Sequence, residues 1–246
     1  MKLNEKKTKQ IIFNFNKDKQ FTTEVQLKGE PLEIVDEVKL LGVIIDKDLK
    51  WDKNTKYLVS KANKKMRMLH MASKFTRNRE HLTQIYKTFI RCNLEFSSNV
   101  WHSSLTKENR QDLERVQKAA LKVILRNEYD NYENALKVSG LQSLDERRDV
   151  MCLKFAKNSL KNLNFSKLFP VNQSRHGMIK RNSQKYIVKR SNTERLRKSS
   201  INYMQRQLNT DFRKRKAELE NLQSELNMSK KKKNNHDSFF VPVNYV

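Results

Sequence analysis

Glycine, proline and cysteine are all scarce in this chain: its 246 residues include 4 Gly, 3 Pro and 2 Cys. So few turn formers argue against an all-β fold with many tight turns, and against a glycine-rich nucleotide cradle. Two cysteines, Cys92 and Cys152, cannot make a disulfide framework or, on their own, a tetrahedral zinc site. Long apolar runs are missing as well. None approaches the about 20 residues that cross a bilayer, so no membrane span is expected. The opening MKLNEKKTKQ lacks the apolar stretch of a signal peptide. Acidic residues are outnumbered, 27 Asp+Glu against 52 Lys+Arg, which leaves a formal net charge of +25. A hydrophobic share of 37% is low, yet a chain of this length can still bury the core of one or two domains. The composition describes a reduced, soluble, intracellular protein whose charge points to a polyanionic partner, most simply nucleic acid.

The first forty-odd residues have the pattern of short strands. Residues 8–15 (TKQIIFNF) and 21–27 (FTTEVQL) are β-rich runs joined by a polar NKDKQ link. A turn at 29–31, a short strand at 32–35, a second turn at 36–37 and a very apolar strand at 38–45 follow. Such a sheet is too small to stand alone. From Asn54 the apolar period lengthens to about 3.6. Leu58, Ala62, Met66 and Leu69 form one stripe of a first helix, with Lys56, Lys64, Arg67 and Lys74 on the opposite side. Leu82, Ile85, Phe89, Phe96 and Val100, closed by Trp101, mark a second helix; Leu113, Val116, Ala120 and Ile124 mark a third. Thr106 or Asn109 is positioned to cap the third. A short helix over 132–138 precedes a long one over 144–163, whose stripe is Val150, Leu153, Ala156, Leu160 and Leu163, with Leu141 and Leu144 at the junction. Beyond Pro170 the chain turns polar and basic. Residues 171–200 suggest a loosely ordered strap, 201–208 a short helix, 212–228 a charged helix with Leu219, Leu222 and Leu226 on one side, and 230–233 the start of a disordered basic tail.

Catalytic motifs are missing too. The sequence holds no adjacent Asp-Asp pair, no HExxH, no GxxxxGK[ST] and no GxSxG. Metal-dependent phosphoryl transfer needs carboxylates that hold two ions about 4 Å apart. Asp46, Asp48 and Asp52 are the one acidic group near the strands, and their pattern is that of a solvated loop with a helix-start acid. His70, His81, His102, His176 and His236 are scattered without ligand spacing, as surface or interface histidines are. Cys92, beside the second stripe, has the pattern of a small core residue. The basic faces are more informative. Lys56, Lys64, Arg67 and Lys74, flanked by Lys61 and Lys65, can track a phosphate backbone. The run at 230–233 suits a nuclear import signal or an anionic tether.

Four segments, taken in order, resemble the C-terminal part of the reverse transcriptase of non-LTR (LINE-type, jockey-like) retrotransposons. MKLNEKKTKQIIFNF is similar to the family's LN-x-x-KT-x-x-(hydrophobic)-F strand, and VDEVKLLGVIIDKDLKW to its K-(Y/L)-LG-V-x-(I/L)-D-x-x-L-x-W segment. NLEFSSNVWHSSLTKENRQDLERVQKAALKVI carries the family's VW and its LE-x-VQ helix, and SGLQSLDERRDVMCLKFAKNSL its L-x-x-L-x-x-RR helix. The likeness spans about residues 1–208.

The resemblance implies the end of a polymerase palm (1–52), a helical thumb (53–130), a continuing helical region (131–170) and a basic extension (171–246). The implied fold class is α+β, mostly α: a small antiparallel platform, a thumb bundle and a partly disordered C-terminal extension. It places a primer-grip-like segment at Lys39, Leu40, Leu41, Gly42 and Val43. A thumb face for the template–primer duplex then falls on Lys56, Lys61, Lys64, Lys65, Arg67 and Lys74. Arg147 and Arg148 match the family's RR pair and are candidates for nucleic-acid contact or for ion pairs within the bundle. The family's catalytic aspartates and their magnesium belong ahead of the first matching strand, so this chain is expected to bind RNA, DNA or a hybrid duplex without polymerising. Its further expected partner is an upstream polymerase portion of the same element. Two rivals remain: a basic helical scaffold for protein partners, and a non-functional retrotransposon relic.

Overall fold

A computed structural model describes residues 4, 8–15, 24–172 and 185–237, with side chains described to 223 and at 225 in the last helix. The expected link at 16–20, the start of the strand at 21–27, His176 in the strap, the side chains of Leu226 and His236 and the chain beyond 237 lie outside the described residues. The fold is mostly helical with a small strand content. Contacts group the chain into two compact units, one of residues 1–155 with 198–200, the other of 156–197 with 201–246. The division falls inside a helix rather than at Pro170.

In the first unit, β1 (Lys9–Gln10), β2 (Gln26–Leu27), β3 (Glu30–Pro31) and β4 (Glu33–Ile34) are each two residues long. The expected run at 8–15 is thus a strand only at its start. β5 (Glu37–Leu40) and β6 (Val43–Asp46) replace the single strand expected at 38–45. The break is the two-residue turn Leu41–Gly42, with φ of 48° and 89°. Positive φ at both central positions is the type I′ geometry that matches strand twist in tight hairpins. Instead of one antiparallel platform there are three two-stranded pairs, of which β1–β4 is parallel.

Helix α1 (Asp52–Phe75) runs for 24 residues and buries Leu58, Ala62, Met66 and Leu69, the stripe expected from the sequence. It packs against β6 and against α5 (Lys107–Leu125), which buries Leu113, Val116, Ala120 and Ile124 on a similar stripe. Thr106 caps α5 by accepting the Asn109 N–H at 3.2 Å; Asn109 itself is buried and donates to Asp52 at 2.7 Å. Between them α2 (Arg79–Ile85) passes into a π segment (Tyr86–Arg91) and then α3 (Cys92–Leu94). The core stripe here is Leu82, Tyr86, Ile90 and Leu94, while Phe89, Phe96 and Val100 stay exposed. The i→i+5 bonding of the π segment widens its turns, so the face that follows is rotated from where a steady 3.6-residue period puts it. That shift also leaves Cys92 exposed rather than in the core. α4 (Ser98–Trp101) leads into a 3₁₀ turn (His102–Ser104), and a second 3₁₀ turn (Arg126–Glu128) follows α5. α6 (Tyr132–Val138) matches the short helix expected over 132–138.

The α7 helix (Leu144–Ser159) is shorter than expected, and its buried face keeps Ala156 but not Val150 of the expected stripe. Leu144, Arg148, Cys152, Ala156 and Ser159 turn inward, while Val150 is exposed and Leu163 lies beyond the helix. α8 (Leu163–Ser166), α9 (Glu194–Lys198) and α10 (Ser200–Asp237) follow, and Phe169, Tyr186, Met204 and Leu208 are buried in the second unit. Asn209 holds Tyr186 there by accepting its N–H and donating to its carbonyl, both at 2.9 Å. α10 is one helix of 38 residues where two helices and a disordered basic run were expected. No glycine or proline interrupts residues 200–237, so nothing in that stretch forces a break.

Candidate nucleic-acid interface

The β5–β6 hairpin and α1 are joined by side chains that the sequence places in one short segment. Asn54, buried in the first turn of α1, accepts the Ile44 N–H at 3.1 Å. Asp46 accepts the N–H groups of Asp48 and Lys50 at 3.0 and 3.1 Å, and so shapes the turn into the helix. Asp52 accepts from Asn109. The three aspartates are therefore occupied in backbone and side-chain contacts, and no cluster of potential metal ligands occurs among the described residues.

At the primer-grip-like segment, Val43 is buried, Leu40 is exposed and Leu41 stands 89% exposed at the tip. Gly42 lies against Phe96: a Cβ there would meet the ring at 3.1 Å, and its φ of 89° already disfavours any side chain. Lys39 points back to α1, donating to the Tyr57 hydroxyl at 2.8 Å with its ammonium 4.5 Å from the ring centre. That hydrogen bond lowers the Tyr57 pKa from its ordinary value, aided by the positive charge of Lys39, Lys61 and Lys64. Lys61 lies 6.0 Å from the Phe96 ring. The hairpin tip and the basic helix face thus form one continuous surface, bridged by two aromatic rings that sequence reasoning missed. Phe96 was assigned to the second helix's core, and nothing local marks Tyr57 as the partner of Lys39.

Lys56, Lys61, Lys64, Arg67 and Lys74 are exposed along α1, with Lys65 half-buried. None of the six has an ion pair or hydrogen bond among the described residues. The neighbouring lysines differ. Lys47 pairs with Asp36 at 2.9 Å, Lys50 with Asp48 at 3.5 Å and Lys53 with Glu37 at 2.5 Å. Carboxylates therefore neutralise the edge of this surface and leave the helix face positive.

The RR pair sits elsewhere. Arg148 is fully buried and so cannot reach a ligand from solution. Its Nε–H donates to His102 Nδ1 at 3.1 Å, and its guanidinium lies 3.5 Å from Asp145 and 5.8 Å from the Trp101 ring centre. His102, expected at the surface, is also fully buried. With Nδ1 accepting from Arg148, its Nε2–H donates to Asp149 at 2.7 Å. Arg110 adds an ion pair to Asp145 and donates to the His102 carbonyl at 3.1 Å. Arg147, partly exposed, donates to the buried Glu95 at 2.6 Å. The motif residues Glu114 and Gln117 extend this network. Glu114 accepts the Asp145 N–H and the Tyr132 hydroxyl; Gln117 accepts from Tyr86 and donates to Tyr132 and to the Gln142 carbonyl. Burial pushes the nearby Cys152 thiol up to about 12, so it stays protonated. Of the ion-pair and contact roles open to the RR pair, the geometry places both arginines in the bundle's polar network.

Burial also lowers the His102 pKa from 6.5. A depressed folded value means that the unfolded chain binds the proton more readily. The protein therefore keeps the stability of a neutral His102 above about pH 6.5 and loses it as the pH falls through and below that value. Thermal melts taken from about pH 7.5 down to about pH 5.5 are expected to show a falling midpoint, with a shallower fall in His102→Gln.

No protein-family model, no curated protein and no solved structure matches this chain.

Proposed function

We propose that this chain binds nucleic acid through the phosphate backbone, as the palm-end and thumb portion of a non-LTR retrotransposon reverse transcriptase. Its occupant is an RNA, DNA or hybrid duplex, held without regard to sequence. The observation that carries this is the row of Lys56, Lys64, Arg67 and Lys74 along one side of α1, flanked by Lys61 and Lys65 and without carboxylate partners among the described residues, next to the hairpin whose Lys39 reaches Tyr57. Side chains that neutralise phosphates give affinity and register but read no bases, as copying any template requires. Lys39, Leu40, Leu41, Gly42 and Val43 then lie at one end of the bound duplex. Leu41, exposed at the hairpin tip, is the part of this segment open to a terminal sugar-phosphate, while Gly42 lets the tip pack on Phe96. The net charge of +25 supports the same partner.

Nucleotidyl transfer is not assigned to these residues. The sequence holds no adjacent aspartate pair, and Asp46, Asp48 and Asp52 serve the turn into α1.

The test is binding of labelled duplexes of unrelated sequence, together with an RNA/DNA hybrid, followed by anisotropy. Affinities within about threefold of one another are expected. Recognition of one sequence by a factor of about 10³ or more would mark base readout and overturn the proposal.

A further inference from the structure

We infer that the C-terminal end of α1, with the cleft beside it, holds single-stranded nucleic acid; this deepens the duplex-binding proposal and rests on it. Phe75, the last residue of α1, is 85% exposed. Its ring stands between two cations in sequence, Lys74 before it and Arg77 two residues on. Across two peptide units the Cα atoms of Phe75 and Arg77 are at most about 7.6 Å apart. Arg77 lines a cleft of about 560 Å³ together with Arg126, Glu128 and Val138. Arg77 has no hydrogen bond or ion pair among the described residues. Arg126 sits at φ 52° and donates to the carbonyl of Ser73, so its charge is fixed against the end of α1. A non-glycine residue at positive φ is held there by its surroundings, and such positions gather at binding sites. The Arg79–Glu128 ion pair neutralises itself; Arg77 and Arg126 then outweigh Glu80 on the cleft wall.

An exposed ring flanked in sequence by cations, two residues from one that lines a cleft, suits an unstacked base with its adjoining phosphates. A closed duplex offers no free base face to such a ring. Met68 and Met71 are also exposed on α1, a pattern compatible with an anionic lipid surface. The concave cleft and the basic residues interleaved with that apolar strip favour the strand over the bilayer.

Anisotropy of the full chain with labelled oligothymidylate of about 20 nucleotides, and with a hairpin duplex capped at both ends, tests this. Phe75→Ala and Arg77→Glu are each expected to weaken oligothymidylate binding about tenfold and to change duplex binding less than about twofold. Phe75→Trp restores binding, which separates stacking from any loss of fold. Unchanged oligothymidylate affinity in Phe75→Ala, with duplex binding intact, overturns this inference alone. Equal losses on both ligands overturn it as well. So does a Phe75-dependent attachment to phosphatidylserine vesicles with no effect on oligothymidylate. Failure of the unaltered chain to bind the capped duplex overturns the earlier proposal instead.

Discussion

Reversing Lys56, Lys64 and Arg67 together to glutamate is expected to weaken duplex binding about a hundredfold or more at low salt. All three are exposed on one side of α1 and unpaired, so the fold loses little; surface changes of this kind usually cost within about 0.5 kcal/mol. Each residue that neutralises a phosphate releases a counterion on binding and steepens the salt dependence by about 0.9 in log K against log salt. The triple variant should therefore have a shallower slope as well as lower affinity, and anisotropy at several salt concentrations reads both. Lys47 provides an internal control. Its ion pair with Asp36 at 2.9 Å leaves the two together neutral, so Lys47→Ala combined with Asp36→Ala keeps the net charge and should change binding little. An equal loss from that double variant and from the triple variant contradicts a specific helix face.

The second large effect concerns stability. Arg148→Ala is expected to cost about 2–5 kcal/mol, measured by urea unfolding. The substitution leaves a cavity beside the fully buried His102 and takes away the donor to its Nδ1. Removing a large buried side chain is costly because the surroundings collapse only partly and a buried acceptor loses its partner, whereas Asp145 keeps Arg110 and is itself partly exposed. Against a typical total of about 5–15 kcal/mol, the loss brings the protein close to unfolding at ambient temperature. Arg147→Ala should cost less. Arg147 is partly exposed, and the Glu95 it leaves behind keeps Arg91 at 3.8 Å. Similar losses from the two substitutions contradict the distinction between a core arginine and a rim arginine.

The network also shows where sequence patterns run out. α1 and α5 were legible because each buries one stripe at a steady helical period, with lysines and arginines opposite. The α7 pattern misled because its core position is an arginine, while the apolar Val150 faces water. Periodicity counts Arg148 as polar and cannot see His102 and Trp101 arriving from elsewhere in the chain. In the second helix the π segment shifts the buried face, which moved Phe89 and Phe96 outward and Tyr86 and Ile90 inward. The hairpin was hidden for a different reason. Its turn begins with Leu41, a residue seldom found at positive φ, and only Gly42 marks the position.

Half of the candidate interface was readable and half was not. Cations on one side of a helix follow directly from spacing, so Lys56, Lys64, Arg67 and Lys74 could be named in advance. That Lys39 meets Tyr57, and Gly42 meets Phe96, depends on how the hairpin folds back on α1 and α3, which no local signal encodes. That the six α1 cations have no carboxylate partner among the described residues is likewise a tertiary fact. The sequence supplies Asp36, Glu37 and Asp48 close by, and they go to Lys47, Lys53 and Lys50.

The measurement closest to the central claim is the affinity of the unaltered chain for an RNA/DNA hybrid as salt is raised from about 50 to about 200 mM. With four or more of the α1 cations on phosphates, log K should fall against log salt with a slope of about −3.6 or steeper. A slope near zero, or no binding at the lowest salt, contradicts a phosphate-tracking helix face.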